Sequence, residues 1–269
     1  MHLNNLTFAY QQKTQAQPTT VLEIEDLTIA NDKITFLLGP SGIGKSTLLQ
    51  SIGMMRKTYS KGEITLELLE ESYNDLWEDR GDQRRASIRK DHFSFIFQEN
   101  YMMPDYSIED NVWMPYCTQF LEVYEEDIDR LQCYLDKFRL TEEMLAKRPN
   151  EISVGEKQRF AFIQALLKDF DILFADEPTG NLDIANSDRA FEILKEHIRE
   201  SNEDQKRKTK SAVIVSHDLH MACAHADEIV LFLFEDEKGV LKDRFEVPKE
   251  KAEKKKLQSE LRELMKQNI

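Results

Sequence analysis

The chain has 269 residues, 41% of them hydrophobic, enough to bury a core and build one or two compact domains. Its 50 acidic residues against 36 basic ones leave a formal net charge of −14, a surface that repels phosphate backbones and makes nucleic acid a poor partner. No stretch approaches the roughly 20 apolar residues a membrane span needs, and Met1 to Asn5 lacks the basic-then-apolar layout of a signal peptide.

From the N-terminus, Leu3, Leu6 and Phe8, then Val21, Leu22, Ile24 and Leu27, alternate with polar residues as short strands do, with Gln11 to Thr20 as the loop between them. Ile34–Leu38 is an apolar run that predicts a buried strand, and it leads directly into a glycine-rich turn and a helix from Thr47 to Met55. Ile64, Leu66 and Leu68 alternate again. Glu70 to Arg85 is polar and charge-dense, with little periodicity. Asn100 to Lys168 is mostly helical and acidic, and strands return at Ile172–Ala175, Ala212–Val215 and Ile229–Phe232. Apolar β-runs separated by helices predict an α/β fold, a largely parallel sheet with helices on both faces. Residues 99–167 interrupt the alternation as an inserted helical subdomain. Cys117, Cys133 and Cys223 are odd in number and not spaced like metal ligands, as expected of reduced thiols in a cytosolic protein.

The chemistry is concentrated in three places. Gly39-Pro40-Ser41-Gly42-Ile43-Gly44-Lys45-Ser46 fits G-x-x-x-x-G-K-[ST] in full, with a strand before it and a helix after it. Glycines let consecutive N–H groups turn inward on phosphates. Lys45 adds a point charge at the β/γ-phosphates, and the Ser46 hydroxyl can ligate Mg²⁺. Thr47 opens the helix whose positive end faces the same anion. Ile172–Ala175 ends in Asp176-Glu177. Alone, two acids at a strand end are explained by a solvated turn. After a full P-loop, Asp176 is placed to reach Mg²⁺ and Glu177 to orient an attacking water. Ser153-Val154-Gly155-Glu156-Lys157-Gln158-Arg159 precedes Phe160, Ile163, Leu166 and Leu167 at helical spacing, and Ser153 with Glu156 fits a capping box. A simple helix start explains those two residues. It also offers free N–H groups to an anion, which in a chain with one P-loop points to phosphate supplied by another subunit.

Ser153–Arg159, followed by Asp176-Glu177-Pro178-Thr179-Gly180-Asn181-Leu182-Asp183, resembles the signature motif, Walker B motif and D-loop of ABC ATPases. Gln98 in Phe95-Ile96-Phe97-Gln98 matches the Q-loop, His217 in Ser216-His217-Asp218 the H-loop, and Tyr10 the aromatic that stacks on adenine. The resemblance spans residues 1–234, leaving 235–269 as a charged, helical extension. It implies a P-loop NTPase with an N-terminal antiparallel β-subdomain. ATP would be cradled by Gly39, Ser41, Gly42, Gly44, Lys45, Ser46 and Thr47, and Mg²⁺ held by Ser46, Gln98 and Asp176. Glu177, His217 and Gln98 would serve hydrolysis, with His217 on the γ-phosphate. Two such subunits would sandwich two ATPs head to tail, so that Ser153, Gly155 and Asp183 meet the other copy's nucleotide. Met103-Pro104-Asp105-Tyr106, Glu109–Val112, Met114-Pro115 and Thr179–Asp183 are further similar to the ATPases of lipoprotein-release, macrolide-export and cell-division systems. That group drives an integral membrane permease from the cytoplasmic face of the membrane.

Two departures stand out. Val154 lies where the family has glycine, and a β-branched residue tolerates positive φ badly; Gln164 replaces a common arginine. Either weakens the composite site or marks one half of an asymmetric pair. A catalytically weak regulatory subunit, motivated by Val154, is therefore one alternative, and a soluble ABC ATPase with a non-membrane partner is another. Against the latter, no long coiled coil of the DNA-repair kind fits between Gly39 and Glu177, and the sequence carries one cassette where ribosomal ones carry two. Glu122, Glu125, Glu126, Asp127 and Asp129 are expected to be a solvated helix face. Met102, Met103 and Tyr106 suit an adaptable docking surface, and Leu257, Leu261, Leu264 and Met265, at helical spacing in the basic tail, are expected to pack on the chain's own domain.

Overall fold

The structure is a computed structural model that describes residues 1–10, 19–66, 73–77, 81–99, 102–120, 122–203, 209–236 and 238–266, with Tyr10, Thr19, Asn202 and Glu203 described by backbone alone. The alternating N-terminus forms β1 (His2–Tyr10) and β2 (Thr19–Thr28), antiparallel, with Leu3 opposite Leu27 and Phe8 opposite Leu22. Buried β3 (Ile34–Leu38) follows, then α1 (Lys45–Ile52) and β4 (Tyr59–Thr65), which pairs antiparallel with β1. The charge-dense stretch holds α2 (Gly81–His92) and a buried tyrosine: Tyr73 is 0% exposed and donates to the Ile52 carbonyl at 2.7 Å. Then come β5 (Phe93–Ile96), α3 (Ile108–Gln119), α4 (Glu125–Phe138), α5 (Val154–Leu167), β6 (Ile172–Asp176) and α6 (Ile184–Glu203). The chain closes with β7 (Ser211–Ser216), α7 (Leu219–His225), β8 (Glu228–Glu235), β9 (Lys238–Glu246) and α8 (Lys251–Lys266).

These elements form two compact units, Met1–Arg89 with Ser211–Ile269, and Lys90–Lys210. In the first, strands run in the order β4-β1-β2-β9-β8-β3-β7. β3 lies parallel to both β7 and β8, and all three are buried nearly throughout, as parallel strands covered on both faces must be. At the N-terminus β4, β1 and β2 pair antiparallel, the subdomain that the resemblance implies.

The extension after residue 234 is helical only in its second half. β9 pairs antiparallel along β8 and touches β2 in parallel at Leu22↔Gly239 and Glu23↔Val240. An ion pair from Arg244 to the buried carboxylate of Glu228 crosses that ladder. Gly239 is required there, because a Cβ would stand 2.5 Å from the Ile43 carbonyl. α8 then lies on α7, with Leu257 and Leu261 buried and the Lys254 ammonium on the Ala224 carbonyl at 2.8 Å. The basic tail thus packs on its own unit through the leucines that the spacing singled out.

In the second unit β5 and β6 pair in parallel, Phe93↔Ile172 to Ile96↔Ala175, and α5 is packed by α3, α4 and α6. The unit is longer than residues 99–167 because β5, β6 and α6 fold with the helices. Gln164 donates to the Asn111 carbonyl at 2.7 Å, tying α5 to α3. Glu122, Glu125, Glu126 and Asp129 are exposed as expected, but Asp127 is not. It is buried as an acceptor for the Tyr116 hydroxyl at 2.5 Å and the Tyr124 amide at 3.1 Å, closing the first turn of α4. Among the described residues no helix is long and apolar enough to cross a membrane.

Candidate nucleotide site

In the first unit, β3 delivers the chain to Gly39, where a Cβ would meet the Phe232 carbonyl of β8 at 2.5 Å. Only glycine lets the backbone leave the sheet there. Gly42 (φ 82°) and Gly44 (φ 103°) take left-handed conformations that L side chains rarely adopt, and space beside Gly42 is open. Gly44 caps α1 without a side-chain acceptor, and the first turn of α1 has no acid. A helix start left without a protein anion is fitted to an external one. The Lys45 side chain is buried and folds back over the turn, donating to the carbonyls of Gly39 at 2.7 Å and Pro40 at 2.8 Å. Ser41 stands exposed on the turn. Ser46 is half-buried, and Thr47 is buried with its carbonyl accepting from Thr58 Oγ1 at 3.2 Å.

His217 belongs to the same unit. β7 pairs with β3 up to Leu38↔Ser216, so His217 leaves its strand level with Gly39. Its exposed position is fixed on both sides: Ser216 Oγ accepts from the Asp218 amide at 3.0 Å, and Asp218 caps α7 through His220 and Met221. The Tyr10 side chain lies outside the described residues.

The second unit holds the acids. β6 is buried from Ile172 to Ala175 and surfaces at Asp176. Glu177 then adopts φ 46°, the left-handed region that costs a non-glycine residue about 1–3 kcal/mol and persists only where the surroundings impose it. The turn is closed by Gly180 N donating to Glu177 O at 3.2 Å and Leu182 N to Thr179 O at 3.0 Å. Asp183 is exposed and serves the start of α6, accepting from the Asn186 amide at 2.9 Å and its side chain at 2.7 Å. Those donors hold its carboxyl below the usual range.

Ser153 caps α5 as the sequence predicts. Its hydroxyl accepts from Glu156 N at 3.2 Å, and Glu156 Oε2 accepts from Ser153 N at 2.7 Å and Oγ at 2.8 Å. These bonds from Ser153 lower the Glu156 pKa. Val154 corrects an expectation: it is the first helical residue, without positive φ, and 55% exposed, so valine imposes no strain there. Gly155 lies against the Asn181 carbonyl, 3.4 Å from where a Cβ would stand. Gln98, exposed just past β5, shares a cavity of about 500 Å³ with Glu99, Val154, Lys157, Gly180 and Asn181. The unit therefore brings together the residue after β5, the start of α5 and the turn after β6.

Sequence reasoning missed Gln158, fully buried, whose Nε2 donates to the Pro178 carbonyl at 2.5 Å. The available signal was a glutamine inside a helix buried on most sides. No group of three or more His, Cys, Asp or Glu among the described residues forms a self-sufficient metal cage. Mg²⁺ needs no such cage, since it commonly takes one or two carboxylates together with substrate phosphates and waters.

The sequence profile of ABC transporters matches residues 22–180, from β2 through the turn after β6. This chain belongs to the ABC transporter family. The lipoprotein-releasing system ATP-binding protein LolD of Zymomonas mobilis is 36% identical over 197 residues, 73% of this chain and 78% of LolD. The macrolide export ATP-binding/permease protein MacB of Shewanella oneidensis is 34% identical over 80% of this chain but only 30% of its own length. Among solved structures, the dimeric structure of MJ0796, a bacterial ABC transporter cassette, superposes with a TM-score of 0.75 at 27% identity, covering 92% of this chain and 99% of that one. A second MJ0796 dimer, in a post-hydrolysis state bound to ADP and Pi, matches at 26% identity with the same TM-score. The protein is the ATP-binding and ATP-hydrolysing cassette of an ABC transporter, with ATP as its nucleotide and Mg²⁺ as the usual cation of the family.

Proposed function

We propose that the cassette works as a pair with a second copy and drives an integral membrane permease of the lipoprotein-release or macrolide-export kind, bound peripherally at the cytoplasmic face. The observation that carries the pairing is the exposed start of α5, a second helix terminus in a chain with one P-loop; unlike α1 it carries a first-turn acid, Glu156, which is engaged by Ser153. In this reading Gly39, Ser41, Gly42, Gly44, Lys45, Ser46 and Thr47 hold the phosphates and Tyr10 the adenine. Ser153, Gly155 and Asp183 face the nucleotide of the second copy. Ser46, Asp176 and Gln98 hold Mg²⁺, which when bound neutralises charge developing on the phosphates. His217 contacts the γ-phosphate, and Glu177 orients the water.

The permease contact is assigned to the loop that follows Gln98. Met103 and Tyr106 are 47% and 50% exposed, so they are not core, although buried Asn111 pins the loop through Met103 N at 2.7 Å and Ser107 O at 2.8 Å. Half-buried Met102 lines a neighbouring cavity of about 280 Å³ with Phe95, Phe97, Met114 and Pro115. Such an apolar recess accepts a short amphipathic helix. Met103→Asp should keep basal hydrolysis while abolishing partner binding; a mutant that still binds and drives the permease moves the contact elsewhere.

Glu177→Gln tests the pairing and the hydrolytic role together. The amide keeps the size but not the charge, so ATP should drive a stable dimer, seen by light scattering, with turnover lost. A monomer at high protein concentration, or hydrolysis at the wild-type rate, sinks the reading.

A further inference from the structure

We infer that Gln158 is the positioning residue that locks the Glu177 turn to the start of α5, tying the group that meets one nucleotide to the group that acts on the other. The inference rests on the roles proposed above for Ser153 and Glu177. Gln158 is 0% exposed, which for an uncharged polar side chain demands that its groups be satisfied. Its Nε2 donates to the Pro178 carbonyl at 2.5 Å, and its Oε1 takes the longer 3.5 Å contact from Asn181 Nδ2. The amide orientation follows from chemistry: a carbonyl only accepts, so nitrogen must face Pro178. One buried amide thus touches both limbs of the turn, next to Glu177 on one side and in the following loop on the other.

That turn needs holding. Glu177 sits at φ 46°, and its neighbour Pro178 has no N–H with which to anchor itself. The carbonyl of Pro178 is its one backbone hydrogen-bonding group, and Gln158 takes it. Gln158 lies just over one turn into α5 from Ser153, inside the same compact unit, so the helix start and the Glu177 turn move as one piece. Gly155 keeps that helix start against the Asn181 carbonyl. A nucleotide engaged at Ser153 therefore bears on the placement of Glu177. Misplacing a catalytic group by about 1 Å costs roughly 100-fold.

The test is Gln158→Met, which keeps length and loses the amide's bonds to Pro178 and Asn181, together with Gln158→Glu. In Gln158→Met we expect kcat to fall about 10- to 100-fold with ATP affinity changed less than about threefold. The Glu177→Gln/Gln158→Met double variant should still dimerise with ATP. In Gln158→Glu a protonated carboxyl can donate to Pro178 as the amide does, and burial raises its pKa. Its turnover should approach wild type at low pH and fall as the pH rises, along a limb the wild type lacks. Unchanged kcat in Gln158→Met, equal loss of kcat and ATP affinity, or failure of the double variant to dimerise overturns the inference. If Gln158→Met does not fold, the pH profile of Gln158→Glu decides alone, and a profile parallel to wild type overturns it. Wild-type hydrolysis in Glu177→Gln alone overturns the proposed role of Glu177 and this inference with it, whereas loss of turnover in Glu177→Gln beside an unaffected Gln158→Met overturns the inference only.

Discussion

Helices α1 and α5 both begin where we propose that a phosphate is met, and they are built by opposite means. The start of α1 is made of backbone: three glycines and no side-chain cap, with the Lys45 ammonium lying on the carbonyls of the turn itself. The start of α5 is made of side chains: Ser153 and Glu156 cap each other, and buried Gln158 fastens the next turn to Pro178. A backbone cradle depends on glycine where a strand passes close, at Gly39, and where φ is left-handed, at Gly42 and Gly44. A side-chain terminus tolerates substitution at its exposed residues and depends on partners distant in sequence. The two starts should therefore fail differently when mutated.

The largest effect is expected at the cradle's single cation. Lys45→Ala removes the buried ammonium that we propose meets the phosphates, and hydrogen bonds to charged groups are worth about 1.5–3 kcal/mol each. ATP affinity measured directly should drop by about 100-fold or more; unchanged affinity would show that the turn is not the phosphate site. Gly39→Ala tests the backbone itself. The new methyl would stand 2.5 Å from the Phe232 carbonyl, so β3 or β8 must shift. Overpacking of this kind costs about 1–3 kcal/mol, read as a lower urea midpoint with unchanged slope. A variant of wild-type stability would mean that the strand end yields without cost.

The same contrast explains what was legible beforehand. The cradle could be read because its geometry demands glycine at fixed intervals, and glycine leaves its mark in the sequence. Strands β3, β7 and β8 were legible as apolar runs because they are buried on both sides. The Ser153 cap was legible because its partner lies three residues away. Gln158 was not, since Pro178 lies 20 residues on and nothing local says where a buried amide will point. Strand β9 was hidden by a sequence rich in charge, Lys238 to Glu246, whose polar face is exposed while the ladder with β8 supplies its order. Asp127 looked like one acid among five and turned out to be the one whose oxygens close a helix.

A smaller effect is expected from Ser153→Ala. Losing this cap should cost about 1 kcal/mol of stability. It should also remove the hydroxyl's share of the lowering of the Glu156 carboxyl, while the larger share, from the backbone N–H of residue 153, remains. A depressed carboxyl contributes stability above its ordinary range and loses it as the pH falls through the folded value, so acid titration of Ser153→Ala should be flatter than wild type. Placed in Glu177→Gln, the change should also weaken ATP-driven dimerisation. Intact dimerisation would leave α5 with a structural cap and no nucleotide role.

The smallest effect is expected at Val154, where the sequence departs from its family. If glycine were needed there for its backbone freedom, valine would strain the loop and Val154→Gly would raise hydrolysis. The structure removes the premise: residue 154 is the first of α5, its φ is not positive, and its side chain is 55% exposed. Glycine there gains no freedom that the conformation uses. It only lowers helix propensity, by a few tenths of a kcal/mol at an exposed first-turn position. Val154→Gly should therefore melt within about 2 °C of wild type. The rate argument is separate: Val154 lines the cavity with Gln98, Gly180 and Asn181 but makes no hydrogen bond through its side chain, so hydrolysis should stay within about twofold. A several-fold rise in turnover would show that the loop passes through a left-handed conformation at residue 154 during the cycle, and that the side-chain-built terminus borrows, at that one step, the backbone logic of the cradle.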